Sequence, residues 1–237
     1  MALPSFRVSA VRRRERYPTL QAAWGFDEGT GTIAEESVGN RTYFQTGPSL
    51  GLTVDAGMTW VTGQAQGSAL QNTGSGGSAH VQMNVAGTAM TLMGWARPTD
   101  LTSGSNRPLF GIWDAANING STFVAIWAQR GDFGTANVFQ GNVRAGGSLQ
   151  AINSGIALTL NTWTHLALSY DGVTMRLYKD GSQVASAAQP GAAYTGAATF
   201  NVLPDPVQAQ VDDVRIFNAA LSEAEIQSFM QQPVALP

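Results

Sequence analysis

The sequence predicts an all-β protein: a two-sheet antiparallel jelly-roll sandwich with an extended N-terminal arm and a short C-terminal helix. Three observations lead there. Short apolar or alternating runs recur between clusters of Gly, Ser, Asn and Asp. The 27 glycines and a charged fraction of only 12% suit tight turns better than long helices. Helical periodicity is confined to one stretch near the end. A chain of 237 residues has room for one large β domain with a sizeable core. The expected organisation is an arm over 1–18, a sandwich over 19–231 and a tail over 232–237.

The clearest local pattern is NTWTHLALSYDGVTMRLYKDGSQVASA, 161–187. Its two Asp-Gly pairs, Asp171-Gly172 and Asp180-Gly181, separate three strand-like runs, the signature of a three-stranded meander. Strand periodicity puts Leu166, Leu168 and Tyr170 on one face, which is expected to be core, and Trp163, His165, Ala167 and Ser169 on the other. Further strands are expected at 21–26, 89–98, 107–113, 122–129, 138–145 and 210–218. The helix is expected at 221–230, where Ser222 and Glu225 have capping-box spacing and Leu221 and Ile226 can form a hydrophobic staple. That arrangement gives Glu223 and Glu225 structural work at the positive end of a helix and removes them as a catalytic pair.

Composition excludes several chemistries. Without cysteine there is no disulfide framework, thiolate nucleophile or Cys-based metal site, and His80 and His165 are too far apart in sequence for a compact motif. No G-x-S-x-G motif, phosphate loop or dinucleotide fingerprint occurs. The acidic pairs Asp27-Glu28, Glu35-Glu36 and Asp212-Asp213 are adjacent, so strand geometry sends the two members to opposite faces. No alternating acidic pattern offers the carboxylate pair a glycosidase needs, and the protein is expected not to be an enzyme. In the terminal strand the alternation groups Asp212 with Val214 and Ile216, an apolar face where a carboxylate needs a partner. A cation, Arg176 or backbone amides could supply one.

Four segments in order, WGFDEGTGTIAEESVGN (24–40), TLMGWARPT (91–99), LTLNTWTHLALSYDGVTMRLYKDGSQVAS (158–186) and VDDVRIFNAALSEAEI (211–226), resemble the laminin-G-like branch of the concanavalin A-like lectin/glucanase superfamily. The resemblance covers about residues 20–230 and implies the sandwich. It leaves function open, because that fold carries lectins, carbohydrate-binding modules, glycosidases, adhesion domains and virion proteins. It also implies a candidate structural calcium, with Asp27, Asn40 and Asp212 or Asp213 as oxygen donors; a carboxylate held by hydrogen bonds is the plainer alternative. For glycan binding, Trp60, Trp113, Trp127 and Phe133 are candidate platforms, with Asp114, Asn117 and Asn119 in the loop after Trp113. Packing in the sandwich core is the alternative reading for Trp24, Trp95, Trp113, Trp127 and Trp163.

The arm stands apart from this pattern. Residues 1–18 carry five arginines against one glutamate, a charge of +4, which leaves −7 for the rest of a chain whose net charge is −3. No apolar run of secretory type follows the arginines, and none is long enough to span a bilayer, so neither export by a recognisable signal peptide nor a membrane partner is expected. The acidic body argues against nucleic acid. Phe6, Val8 and Ala10 alternate with Arg7 and Ser9, which suits strand addition to a partner's sheet. Arg12, Arg13, Arg14 and Arg16 suit carboxylates on a protein surface. The arm is therefore expected to dock onto a capsid or other virion protein. This makes the protein a non-catalytic bacteriophage capsid decoration or virion surface component, multicopy or homo-oligomeric, made in the host cytoplasm. A carbohydrate-binding lectin-like module, dependent on calcium or not, is the alternative.

Overall fold

The computed structural model describes residues 19–38, 51–64, 67–74, 76–85, 87–102, 106–114, 122–129, 138–204 and 206–234. The arm residues Phe6, Arg7, Val8, Arg12, Arg13, Arg14 and Arg16, together with Asn40, Asn117, Asn119 and Phe133, lie outside them. Among the described residues no helix is long and apolar enough to cross a membrane.

Two antiparallel sheets of eight strands face each other. The first runs β14 (Ser182–Ala188), β13 (Thr174–Lys179), β12 (Thr164–Tyr170), β7 (Met90–Pro98), β16 (Gln208–Phe217), β5 (Ser68–Thr73), β4 (Met58–Thr62). β1 (Leu20–Trp24) also pairs with β16. The second runs β11 (Ser148–Ala157), β10 (Val138–Ala145), β9 (Thr122–Gln129), β8 (Arg107–Asp114), β15 (Gly196–Val202), β6 (Ala79–Val85), β3 (Leu52–Val54), β2 (Ile33–Ala34). One apolar core fills the space between them, with Trp24 stacked on Phe200 across the gap at 4.9 Å between ring centroids.

The meander forms as expected. Asp180 and Gly181 both take positive φ, the conformation of a two-residue hairpin turn, and Asp171 Oδ1 accepts the N–H groups of Val173 and Thr174 to close the other turn. The helix α1 (Glu223–Met230) carries the complete capping box of Ser222 and Glu225. Its effect on the sheet goes beyond expectation, because β12 is buried on both faces. Leu166, Leu168 and Tyr170 enter the main core, while Ala167 joins Met93, Tyr178 and Phe217 under Leu221, Ile226 and Phe229 in a second apolar layer. An antiparallel sheet often leaves one face wet; here a short helix covers it.

The terminal strand departs from simple alternation. A bulge interrupts the pairing of β16 with β7 between Asp212 and Arg215, and Asp213 takes φ +51. Ala209 and Val211 before it, and Val214 and Ile216 after it, all reach the main core. The extra residue reverses the phase of the strand, so Val211 and Asp213 do not share a face as strict alternation requires. The bulge falls where β16 exchanges one neighbour for another, β5 along Gln208–Val211 and β1 along Val214–Phe217.

Candidate functional site

Two places concentrate polar side chains, the bulge in β16 and the outward face of the second sheet.

At the bulge, Asp212 is buried and accepts two backbone hydrogen bonds, from Gln64 N–H to Oδ2 and Asp213 N–H to Oδ1, both 2.8 Å. Burial pushes its carboxyl up to about 8, and the neighbouring charges of Asp213 and Asp27 push the same way. Asp27 follows the end of β1 and accepts the Ser68 N–H at 3.2 Å. Gly67 is required beside it, because a Cβ there would stand 1.8 Å from Asp27 Oδ1 and its φ is +65. Glu28 accepts the Glu35 N–H, and burial raises its carboxyl as well. Next to Gly67 and Ser68 opens a cleft of about 320 Å³, lined also by Gly29, Trp60, Val61 and Thr62.

The fold thus joins Asp27 and Asp212 through one stretch of backbone. Asp213 turns elsewhere: its Oδ1 accepts the Val234 N–H at 2.6 Å. Arg176, a sequence candidate for pairing Asp212, instead donates to Asp171 at 2.7 Å. Among the described residues no three His, Asp or Glu side chains converge on one point. Carboxylate oxygens are donors of the kind calcium takes. A buried acid whose ionisation is opposed by its neighbours is what such an ion would relieve. Asp27 and Asp212 would hold it, and its contribution there would be charge compensation.

On the outward face of the second sheet, the register aligns a row of mostly small residues: His80, Asn201, Gly111, Ala125, Asn142 and Ala151 on successive strands from β6 to β11. Trp113 and Trp127 flank this row and form a cluster with Ala125 apart from the main core. Their rings meet edge to face with centroids 6.2 Å apart. Trp127 donates its indole N–H to Asn142 Oδ1 at 2.5 Å. Opposite Trp127 stands Gln140, and two residues along β9 stands Gln129. All of these except His80 and Ala151 are buried, and neither amide atom of Gln140 nor the Gln129 carbonyl has a hydrogen-bond partner. A sheet face of indoles and amides is unusual where burial normally selects aliphatic side chains.

The sequence-derived candidates separate accordingly. Trp113 and Trp127 come together, away from the core that Trp24 enters. Trp60 lies half-buried at the cleft, its indole N–H given to Gly31 O. Asp114 is the last residue of β8. Gln129, Gln140 and Asn142 belong to no sequence motif, although the alternation Gln140, Asn142, Arg144 in VFQGNVRA marks one face of a strand as polar. His165 is buried, its ring edge-on to Trp95 and its imidazole held down to about 3 by burial and by the charge of Arg215. Among the described residues the outward face of the second sheet carries no pair of carboxylates that could flank a glycosidic bond.

Two facing antiparallel sheets, one with a buried indole and amide array on the face turned away from the main core, define a lectin-like β-sandwich. Residues 72–227 match the family model of the concanavalin A-like lectin/glucanases superfamily, and the chain belongs to that superfamily. No curated protein matches it. Among solved structures it is similar to domain 4 of AbnA, a GH43 extracellular arabinanase from Geobacillus stearothermophilus, in complex with arabinotriose. The TM-score is 0.66 at 21% identity, covering 90% of this chain and 98% of that one. The binding domain of Paraclostridial Mosquitocidal Protein 1 is similar with TM-score 0.64 and 15% identity, covering 89% of this chain and 51% of that one. Trypanosoma rangeli sialidase in complex with sialic acid is similar with TM-score 0.62 and 16% identity, covering 91% and 33%. The chain therefore spans about half and a third of those last two proteins, and at these identities the likeness is one of fold.

Proposed function

We propose that this protein is a carbohydrate-binding module that holds a glycan on the outward face of its second sheet without cleaving it. The observation that carries the reading is the array of Trp113, Trp127, Gln129, Gln140 and Asn142. Indole faces pack against the C–H faces of sugars, and side-chain amides donate to and accept from hydroxyls. The similarity in fold to an arabinanase domain with arabinotriose and to a sialidase with sialic acid supports the class of ligand. The test is calorimetric titration with a panel of oligosaccharides. Trp127→Ala is expected to weaken binding at least tenfold, whereas Trp60→Ala, in the cleft by the bulge, leaves it unchanged. Loss of binding in the Trp60 variant alone would move the site to that cleft.

The division of charge supports a second, compatible element. The basic arm, +4 against −7 for the remainder, is suited to dock the module on an acidic protein surface. The candidate surface is that of a larger assembly such as a bacteriophage capsid or tail, which would place the protein on the virion in many copies. Deleting residues 1–18 is then expected to abolish co-assembly while leaving glycan binding intact. Unchanged assembly would remove the arm from that role.

A further inference from the structure

β14 forms one margin of the first sheet, and among the described residues β13 is its only ladder partner. Its sequence, SQVASAA, holds neither a charge nor a proline. Exposed edges are ordinarily blunted by such residues, because their unpaired N–H and C=O groups will pair with a strand that is offered. Ala185 and Ala187 pack against the main core from this edge, while Ser186 and Ala188 are exposed. At its start, Gln183 gives its N–H to Glu223 Oε2 of α1 at 3.0 Å.

The chain itself carries a strand of matching length. Residues 5–11, SFRVSAV, alternate Phe6, Val8 and Ala10 with Arg7 and Ser9, and β14 likewise has seven residues. Laid antiparallel and end to end on β14, this segment puts Phe6 opposite Ala187 and Val8 opposite Ala185. Directly opposed residues share a face of a sheet, so both apolar side chains would extend the core margin, and Arg7 would lie opposite the exposed Ser186. The flank at residues 12–16, four arginines against one glutamate, then falls at the start of β14. There Asp180, Glu223 and Glu225 stand with one lysine, Lys179. At the other end of β14 the carboxylate of Asp171 is already matched by Arg176 at 2.7 Å. Charge therefore selects the antiparallel direction.

We infer that β14 is the acceptor edge for residues 5–11 of a second copy of this chain, each copy giving its arm to the other. The inference rests on the reading of the arm as a docking element and names the surface it meets. The arm joins the described chain at Thr19, whose carbonyl accepts the Asn218 N–H at 2.9 Å. Five residues beyond Asn218 stands Glu223, which holds the start of β14, so the root of the arm and the acceptor edge meet the same short segment. Seven extended residues, 12–18, span about 23 Å. Pro18 disfavours a helical Tyr17, and a run of arginines repels itself and extends, which suits a connection that crosses to a neighbour. Two copies meeting at this end exchange arms about a two-fold axis, and such an exchange closes at two chains.

The experiment is light scattering on the full chain after size exclusion, combined with amide hydrogen exchange read along β14. The wild type is expected at twice the chain mass of 24.9 kDa. Its amides at 184–188 are expected to exchange at least tenfold more slowly than in Val8→Pro, where proline takes an N–H out of the added strand. Val8→Pro is expected to be a monomer, and the triple variant Arg12→Glu, Arg13→Glu, Arg14→Glu to dimerise at least tenfold more weakly. All four substitutions lie outside the sandwich, and exchange in β7 and β12 is expected to be the same in every protein. A dimer that persists undiminished in both variants lies elsewhere and overturns the inference. A monomeric wild type with β14 protected has the arm on its own edge and overturns it too. A monomeric wild type with β14 unprotected removes the second copy as the partner; docking of the arm on a different protein then stands or falls by the deletion of residues 1–18 described above.

Discussion

Asp27 and Asp212 come from opposite ends of the chain and are joined through one short run of backbone: Ser68 gives its N–H to the first and Gln64 to the second. Both carboxylates lie where β16 changes partner from β5 to β1. A gap in a ladder leaves amides that acids can bind.

Stability near this bulge should depend on pH. The folded pKa of Asp212, about 8, exceeds its ordinary 3.8, so between these values the folded chain holds a proton that the unfolded chain has lost. Stability therefore falls as pH rises from about 4 to about 8, by at most about 1.4 kcal/mol per pH unit. In chelator, the melting temperature is expected to drop across this window in the wild type, with a flatter profile in Asp212→Asn. Added calcium is expected to raise the melting temperature more at pH 8 than at pH 6. No calcium effect at either pH would leave the bulge as a hydrogen-bonded carboxylate alone.

His165 works in the opposite sense. Its folded pKa of about 3 lies below the ordinary 6.5, so the unfolded chain binds the extra proton and stability is lost as pH falls from about 6.5 toward 3. Denaturant unfolding between pH 4 and 7 is expected to show this acid slope in the wild type and a reduced one in His165→Leu. An identical slope in the two proteins would assign it to other groups.

Gly111 sets the floor of the row between the two tryptophans. A Cβ there would stand 2.5 Å from Ala125 Cβ and 2.6 Å from Val124 O, and a backbone oxygen cannot move aside cheaply. Gly111→Ala is expected to lower stability by about 1–3 kcal/mol, measured by chemical denaturation. A neutral substitution would mean that β8 and β9 can separate.

The capping box is tested by Ser222→Ala, which removes the hydroxyl that accepts from Glu225 N–H. The expected cost is about 1 kcal/mol, or about 2–4 °C in melting temperature for a domain of this size. Because α1 covers Ala167, Met93 and Phe217, loosening it should also increase binding of a hydrophobic dye.

Much of this molecule is legible from local sequence. Asp-Gly pairs specify hairpins because few residues tolerate positive φ, and Ser222 with Glu225 specifies a helix start because both groups answer unpaired backbone N–H groups within three residues. The strands at 107–113, 122–129 and 138–145 declare themselves by composition, and the family by four segments in order. β2 to β6, β11 and β15 were less legible, being short, polar or glycine-rich and stabilised by the strands beside them more than by their own propensity. The bulge in β16 could not be read from the alternation it interrupts. Nor could the grouping of Trp127, Gln129 and Gln140: each amide looks like an ordinary polar position, and only strand register places Gln140 beside Trp127. Local propensity acts over a few residues and so is written in the sequence. Burial, opposed carboxylates and a shared sheet face are relations between distant segments, and only the tertiary fold decides them.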